Sequence, residues 1–561
     1  MFEIMLKNKS FNLSKDINNT TLYAIKVGDE KLIERLLEPP RPAIDYEFSV
    51  RYALEQGKDK IIEKFLQDPR LNPGYNDNSM FIQACKYGRF YIVQLLLKDL
   101  RVTPKSFALS EASNDGHFEV VQLLLSDIRI NVASIGCQAI SRASQNGHLE
   151  VVRVLLADNR INPTENRLDC VFRASYKGHI DVLKLLLQDS RVQAEIFRNY
   201  QKQISKDPKN EINNRILQAA CENGHIDIVA MLLSDNKFGL NWKSLYSACA
   251  FGHFSVLQLL LNDPRVKIDL QLHGSGFQTG GYNEALNVAC QNGHVGVVIY
   301  LLENYATLNP FASVDSGISK ASSSGHLDIV KILSKDKRCH SFHLNEALFS
   351  ACMKGQYNVA EFLLKNTTAT PTAKTLRKGL SETCQLPLEA ACAFGHEEIV
   401  KLLLSDKRTD PASNCNYNII TACQKGHLEV VKILLQTPGV DPTVNGNMPL
   451  VMACSNGHLD VVRLLLVDKR IDIGNKDFPP FVAACRTGKY GVVEFLLQDN
   501  RFDPCANDIA GLRAAILGKH IKTYKLLLKD ARVNPSQMKV VIPKLRKECQ
   551  NGSCLMSIMA R

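Results

Sequence analysis

Apolar residues recur along this chain with the spacing of short amphipathic helices, and these helices come in pairs. Between residues 416 and 442, Ile419, Ala422 and Cys423 lie three and four positions apart and form one apolar face. Gly426 interrupts the pattern, because a glycine can end a helix in the left-handed conformation without a Cβ penalty. A second apolar face follows: Leu428, Val430, Val431, Leu434 and Leu435. The pattern predicts two antiparallel helices and an extended connector.

The same pattern recurs around a series of glycines, and from Gly395 onward successive copies are 31 residues apart. A sixteenth copy has Lys519 in the place of the glycine. A period of this size is typical of a solenoid, in which each unit buries its apolar face against its neighbours. We therefore predict an all-α solenoid of about sixteen stacked helix-turn-helix units with short connecting fingers. The glycines are Gly28, Gly57, Gly88, Gly116, Gly147, Gly178, Gly224, Gly252, Gly293, Gly325, Gly355, Gly395, Gly426, Gly457 and Gly488.

Segments outside this register define the expected domain organisation. The repeats cover residues 20–535, which leaves an N-terminal cap at 1–19 and a basic C-terminal cap or tail at 536–561. Three steps between glycines are longer than the others, and their extra residues place inserts near 192–213, 267–282 and 369–384. The first insert is compatible with a helix extension or a loop. The second is rich in glycine but lacks the Gly-Lys-Ser/Thr ending of a phosphate-binding loop.

The slot three residues before the glycine indicates the cellular compartment. It holds serine in four copies, so the slot selects a small side chain for a tight helix contact. Stacked helices lie about 8–10 Å apart, which is beyond the reach of a disulfide. We therefore expect reduced thiols and an intracellular protein, cytoplasmic with the nucleus as the alternative. Nine copies have cysteine there: Cys85, Cys221, Cys249, Cys290, Cys352, Cys392, Cys423, Cys454 and Cys485.

Polar motifs in the repeats favour structural roles. An Asp-x-Arg motif such as Asp189–Arg191 follows most second helices, and we expect the arginine to pair with carboxylates of its own or the next repeat. Ten glycines are followed by histidine, and stacked repeats hold these rings too far apart to share a zinc ion. We expect each histidine to be a hydrogen-bonded structural residue. Cys339, His340 and His343 offer three soft ligands without an assured fourth, so we interpret that segment as a finger.

Composition excludes other classes of function. A net charge of +11 spread over 561 residues argues against a nucleic-acid-binding surface. No apolar run reaches the roughly 18 residues that a membrane span needs. No catalytic triad, nucleophile elbow or kinase signature is present in the sequence. We therefore predict no enzymatic activity, no cofactor and no metal site.

The motif small-small-x-x-Gly-His-Leu-Glu-Val-Val-x-Leu-Leu resembles the ankyrin repeat family over residues 20–535. The family's Thr-Pro-Leu-His opening survives only at 387–388, 449–450 and 480–481, and Asp-x-Arg replaces the Gly-Ala-Asp connector. The chain is therefore similar to a divergent, compact ankyrin subtype. The resemblance implies that fingers and first helices form a concave groove that binds proteins, and that the repeats themselves perform no chemistry.

By that resemblance, the groove-facing slots are the two residues before the glycine and the fingertip ten residues before it. Aromatic side chains in such slots are expected to anchor a protein partner. The resemblance thus implies a monomeric, non-enzymatic scaffold or adaptor that binds through its groove and finger inserts. A nucleic-acid-binding protein, or an effector with activity in the inserts or tail, is the alternative. The expected anchors are Tyr87, Tyr176, Trp242, Phe251, Phe394 and Phe478.

Overall fold

A computed structural model describes most of the chain, and it consists of helices. Within the described residues it contains 33 helices and no strand, which confirms the predicted all-α class. The chain divides into two compact units, Met1–Gly281 and Tyr282–Arg561. The described residues are 13–38, 44–204, 212–240, 242–265, 279–305, 308–311, 316–374, 385–471, 479–499 and 502–533.

The first unit is a series of helix pairs, each with one helix before and one after a repeat glycine. The first helices are Leu13–Val27, Tyr46–Gln56, Tyr75–Lys86, Phe107–Asn114, Val132–Asn146, Glu165–Lys177, Ile212–Glu222 and Trp242–Phe251. The second helices are Glu30–Leu37, Asp59–Gln67, Phe90–Lys98, Phe118–Ser126, Leu149–Ala157, Ile180–Gln188, Ile226–Leu233 and Phe254–Asn262. An additional helix, Ser190–Ile204, occupies the first predicted insert.

The second unit repeats the same arrangement, and its leading helix begins just before the division. The first helices are Thr279–Asn292, Gly317–Ser324, Ser341–Lys354, Pro387–Phe394, Ser413–Lys425, Val444–Asn456, Pro479–Thr487 and Ala506–Leu517. The second helices are Val295–Asn304, Leu327–Ser334, Tyr357–Asn366, Glu397–Ser405, Leu428–Gln436, Leu459–Val467, Tyr490–Gln498 and Ile521–Lys529.

The turn between paired helices is closed by the repeat glycine. Gly147 has φ +79°, in the left-handed region that the sequence predicts for a helix end. The next residue, His148, donates its backbone N–H to the Ala143 carbonyl over 3.0 Å and so satisfies one of the last carbonyls of the helix. The second helix then buries Val151, Val152 and Leu155.

The small-residue slot lies at the centre of the stack. All nine predicted cysteines are buried, in agreement with selection for small volume. Burial raises the pKa of the Cys290 thiol to about 12, because the thiolate would lose its hydration. These thiols therefore behave as small apolar side chains in the packed interior.

The connectors differ from the predicted extended form in four repeats. Residues 76–78, 166–168, 414–416 and 445–447 all have positive φ, so one left-handed turn lies within the first residues of each of these first helices. Such turns are costly for most residues but are tolerated best by asparagine, aspartate and glycine. Nine of these twelve positions are asparagine, aspartate or glycine. The left-handed turns therefore lie mostly at residues that adopt positive φ with little strain.

Several predicted features fall outside the described residues: 205–211 of the first insert, 267–278 of the second, 375–384 of the third, and the C-terminal tail from 534 onward. The predicted boundaries near residues 19 and 535 stay predictions. Among the described helices, none combines the length and the apolar character that a membrane crossing requires.

Candidate functional site

A ladder of histidines connects many successive repeats within each unit. His148 Nε2 lies 2.9 Å from the Asn114 carbonyl of the preceding repeat. Since a carbonyl can only accept, Nε2 must carry the proton. The prediction of a hydrogen-bonded structural histidine is confirmed at nine of the ten Gly-His pairs: His117, His148, His179, His225, His253, His326, His396, His427 and His458. His520, which follows Lys519, makes the same contact.

The ladder gives the repeat glycine a second reason to lack a side chain. A Cβ added to Gly147 would lie 2.6 Å from Nδ1 of His179 in the next repeat. Other long polar residues replace histidine in this slot: Gln356 Nε2 donates to the Ser323 carbonyl over 3.3 Å, and Arg89 Nε donates to the Leu54 carbonyl over 2.9 Å. The slot therefore requires a donor that can reach back over the glycine.

The cluster at Cys339, His340 and His343 has a structural arrangement. The His340 backbone N–H donates to His343 Nδ1 over 3.1 Å, at the start of the helix Ser341–Lys354. The His343 ring lies 4.8 Å from the Phe311 ring, and burial lowers the pKa of His343. Within the part of the chain that the structure describes, no group of three or more potential ligands could hold a metal ion.

The Asp-x-Arg motif forms a clip between repeats. Arg191 donates to Asp189 through Nε over 3.1 Å and through Nη2 over 2.6 Å, as expected for a pair within one repeat. The sequence did not predict that Arg191 would also donate to the Leu156 and Ile161 carbonyls of the preceding repeat, over 2.8 and 3.0 Å. The arginine therefore satisfies the Leu156 carbonyl in the last turn of the preceding helix and the Ile161 carbonyl in the connector after it.

Ten described arginines make the pair with the aspartate two residues earlier: Arg70, Arg101, Arg129, Arg160, Arg191, Arg265, Arg338, Arg408, Arg470 and Arg532. The side-chain hydrogen bonds from Arg129 hold the pKa of Asp127 below its usual range. The same direction holds for Asp99, Asp158, Asp406 and Asp468.

We expect this arrangement to make the stack sensitive to acid. A clip aspartate contributes stability that is fully present above about pH 4, its pKa in the unfolded chain, and that is lost as the pH falls through the lower folded-state pKa. Urea unfolding between about pH 5 and pH 2 should show this loss. Asp127→Asn should flatten the curve, whereas Glu150→Gln, in an exposed pair with Arg153, should leave its slope unchanged. Equal slopes for Asp127→Asn and the natural chain would contradict the assignment.

Two of the predicted anchors lie directly against the histidine ladder. The ring of Phe251 stacks on His253 at a centroid distance of 6.4 Å, and Phe394 stacks on His396 at the same distance. Phe251 is 54% exposed and Phe394 is 50% exposed. Their backbones are held by the glycine turn, so each presents half of a rigid apolar ring to solvent.

The two tyrosines are less accessible. Tyr87 and Tyr176 are half-buried, and the ammonium groups of Lys86 and Lys177 lie 6.0 and 5.7 Å from their ring centres. Tyr176 also stacks on Phe172 at 6.0 Å. A cation over the ring face is a favourable contact within one molecule. Part of each tyrosine ring is therefore already in contact with side chains of the same chain.

Trp242 and Phe251 do not form one patch. They are the first and last residues of a single helix, which separates them by about 14 Å along its axis. Trp242 is 39% exposed and contacts the edge of Tyr246 at 6.1 Å. Phe478 lies outside the described residues.

The fingertip slot has a structural use that the sequence analysis missed. Asn78 Oδ1 accepts the Thr103 backbone N–H of the next connector over 2.9 Å, and Asn416 accepts that of Asp441 over the same distance. Other copies repeat this brace through Asn18, Ser106, Asn283 and Asn345. Recurrent asparagine ten residues before the glycine was the signal that could have revealed it.

Comparison with known families decides the classification. A family model that describes ankyrin repeats (3 copies) matches four overlapping or separate ranges of the chain: 109–198, 172–272, 217–312 and 388–477. Together these ranges make up more than half of the chain. The chain belongs to the ankyrin repeat family. This confirms the resemblance, and with it the ankyrin solenoid as the fold. No curated protein matches the sequence at a significant level.

The ankyrin first helices of the first unit carry paired charges on their partly exposed face. Arg142 pairs with Glu111 of the preceding repeat and lies 5.5 Å from the Phe107 ring centre. Arg173 Nε lies 2.6 Å from Asp169 Oδ2. These charges satisfy one another, so this face of the first helices is polar and already paired.

Proposed function

We propose that the protein is a non-enzymatic scaffold or adaptor, and that it binds a protein partner through the groove and finger inserts of its ankyrin stack. Ankyrin repeats are generally protein-interaction modules, which supports this class. The observation that carries the proposal is the exposure of Phe251 and Phe394 beside the histidine ladder. Rigid, partly exposed aromatic rings are typical anchors of protein interfaces.

The charge arrangement supports a protein partner over a nucleic acid. Ten described arginines are engaged by their own aspartates, so they add little to a field that would attract phosphate backbones. We propose that the protein acts as a monomer in the cytoplasm, with the nucleus as the alternative. The buried cysteine slot agrees with a reducing compartment.

Affinity capture tests the proposal. In the groove variant, Tyr87, Tyr176, Trp242, Phe251 and Phe394 are all changed to alanine, and we expect it to lose the specific partners of the natural chain. A matched control replaces five aromatics on second helices that have 38–45% exposure: Phe90, Tyr91, Phe254, Tyr357 and Tyr490. Both variants are first checked for equal helix content by circular dichroism.

The comparison between the two variants decides the site. Partners lost only from the groove variant would support the aromatic assignment. Partners retained by both variants would move the binding site to the finger inserts. Partners lost only from the control would place it on the second helices and contradict the groove assignment.

A further inference from the structure

The second unit presents an apolar stripe across consecutive first helices, and the first unit has paired charges in related slots. We define the methionine stripe as Met353, Phe394, Ile420, Met448, Met452 and Val482. They stand one to nine residues before their repeat glycines on five first helices, and Met448 and Met452, four residues apart, share one face of a single helix. Phe394 is half exposed and the other five are partly buried.

The stripe has a packed floor. Phe349 and Ala390 are fully buried, and Met353 and Ala393 pack against them from the exposed side. In the first unit, the slot of Met452, five residues before the glycine, holds Glu111 and Arg142, which pair with each other. These two first-unit repeats therefore have a charged pair where the second unit has Met452.

Cations border the stripe without matching anions. Lys354, Lys425 and Arg486 are exposed one or two residues before their glycines, and none forms an ion pair with a described residue. The five first helices from Ser341–Lys354 to Pro479–Thr487 contain only two carboxylates, Glu346 and Glu389, which are 2% and 0% exposed. Positive charge therefore lies along an apolar surface.

The spacing of the stack limits the shape of a matching partner. Adjacent helices pack about 8–10 Å apart, and a helix rises about 1.5 Å per residue. A partner helix lying across the stack would therefore meet a new repeat about every five to seven residues. Five first helices would accommodate about 21–27 residues of that partner.

We propose that the methionine stripe binds an acidic amphipathic helix, with apolar residues that recur every seven positions and carboxylates on its flanks. The inference rests on the proposed function, since it specifies a partner for the same groove. Methionine side chains adapt to the shape of an apolar helix face. The unpaired cations supply charge complementarity, which favours acidic over basic flanks.

Two synthetic peptides test the charge preference with the full-length chain. Both are about 24 residues long with leucine at two positions per seven; one has glutamate at every flanking position and the other lysine. Like charges on the flanks keep each peptide from pairing with itself. Fluorescence anisotropy should show that the acidic peptide binds at least about tenfold more tightly than the basic one, and more weakly at high salt.

Two variants locate the binding site. Met452→Glu should weaken binding of the acidic peptide by at least about tenfold, because it places a carboxylate in the stripe. The matched control is Met231→Glu, at a partly buried methionine of a second helix in the first unit, and it should leave binding unchanged. Lys354→Glu, Lys425→Glu and Arg486→Glu together should reverse the preference towards the basic peptide. These three residues are exposed, so the reversal does not depend on a change in the core.

Each other outcome overturns the proposal. Equal binding of both peptides would show that charge does not select the partner, and failure of both to bind would show that the stripe does not accept a helix. Equal loss in Met452→Glu and Met231→Glu would place the effect in folding instead of the stripe. In each case, capture of partners that depends on the five aromatics could still succeed, so the proposed function is judged separately.

Discussion

Replacing Gly395 by alanine is expected to destabilise the second unit by about 2–4 kcal/mol. Gly395 has φ +77°, and an added Cβ would lie 2.5 Å from His427 Nδ1. The substitution therefore strains the backbone and displaces the imidazole, which would disrupt the 3.1 Å contact of His427 Nε2 with the Ala393 carbonyl. Urea unfolding gives the loss, and amide hydrogen exchange shows whether it is concentrated in the helices around Gly395.

A second glycine in the same unit separates strain from collision. Gly446 has φ +69°, but an added Cβ would meet nothing within 4 Å. Gly446→Ala should therefore cost only about 1 kcal/mol, the strain of a left-handed alanine. In a His427→Ala background, Gly395→Ala should fall to the same value. If Gly395→Ala destabilises the natural chain no more than Gly446→Ala does, the histidine ring is not a reason for glycine at position 395.

The helix pairs could be predicted because their causes are local. The apolar face of Leu149–Ala157 and the glycine at 147 lie within one repeat, and periodicity reveals both. The contact between His179 and Gly147 is different, because it joins residues of successive repeats. The sequence showed that the Gly-His pair recurs. It did not show that each histidine ring covers the glycine of the preceding repeat.

The candidate site was only partly predictable for the same reason. Single-residue slots indicated that Phe251 and Phe394 would be exposed. The pairing of Arg142 with Glu111 depends on the register between neighbouring helices, which one sequence does not specify. At the left-handed turn 414–416, Asn416 Oδ1 accepts the backbone N–H of Asp441 in the next connector, 25 residues away. These features depend on polar contacts between repeats, which a pattern within one repeat does not reveal.

Removing the arginine of one clip is expected to cost about 2–3 kcal/mol. Arg191→Gln removes the donors to the Leu156 and Ile161 carbonyls and leaves Asp189, whose side chain is 12% exposed, without its cation. Urea unfolding of the full chain, with hydrogen exchange of Leu149–Ala157 and Ile180–Gln188, measures the loss. Arg153→Gln is the control, since its pair with Glu150 is exposed and should contribute less than about 1 kcal/mol.

A lysine in the same position tests whether charge or geometry matters. Arg191→Lys keeps a cation for Asp189 but has no planar fork, so it should lose the carbonyl bonds and show an intermediate cost of about 1 kcal/mol. A natural precedent exists at Lys237, whose ammonium lies 3.4 Å from Asp235. Burial would raise the pKa of Asp189, but the bonds from Arg191 outweigh it and hold that pKa below its usual range. The difference between Arg191→Gln and the natural chain should therefore shrink as the pH falls below about 4, because protonated Asp189 no longer needs a cation. A difference that stays constant with pH would assign the cost to the carbonyl bonds alone.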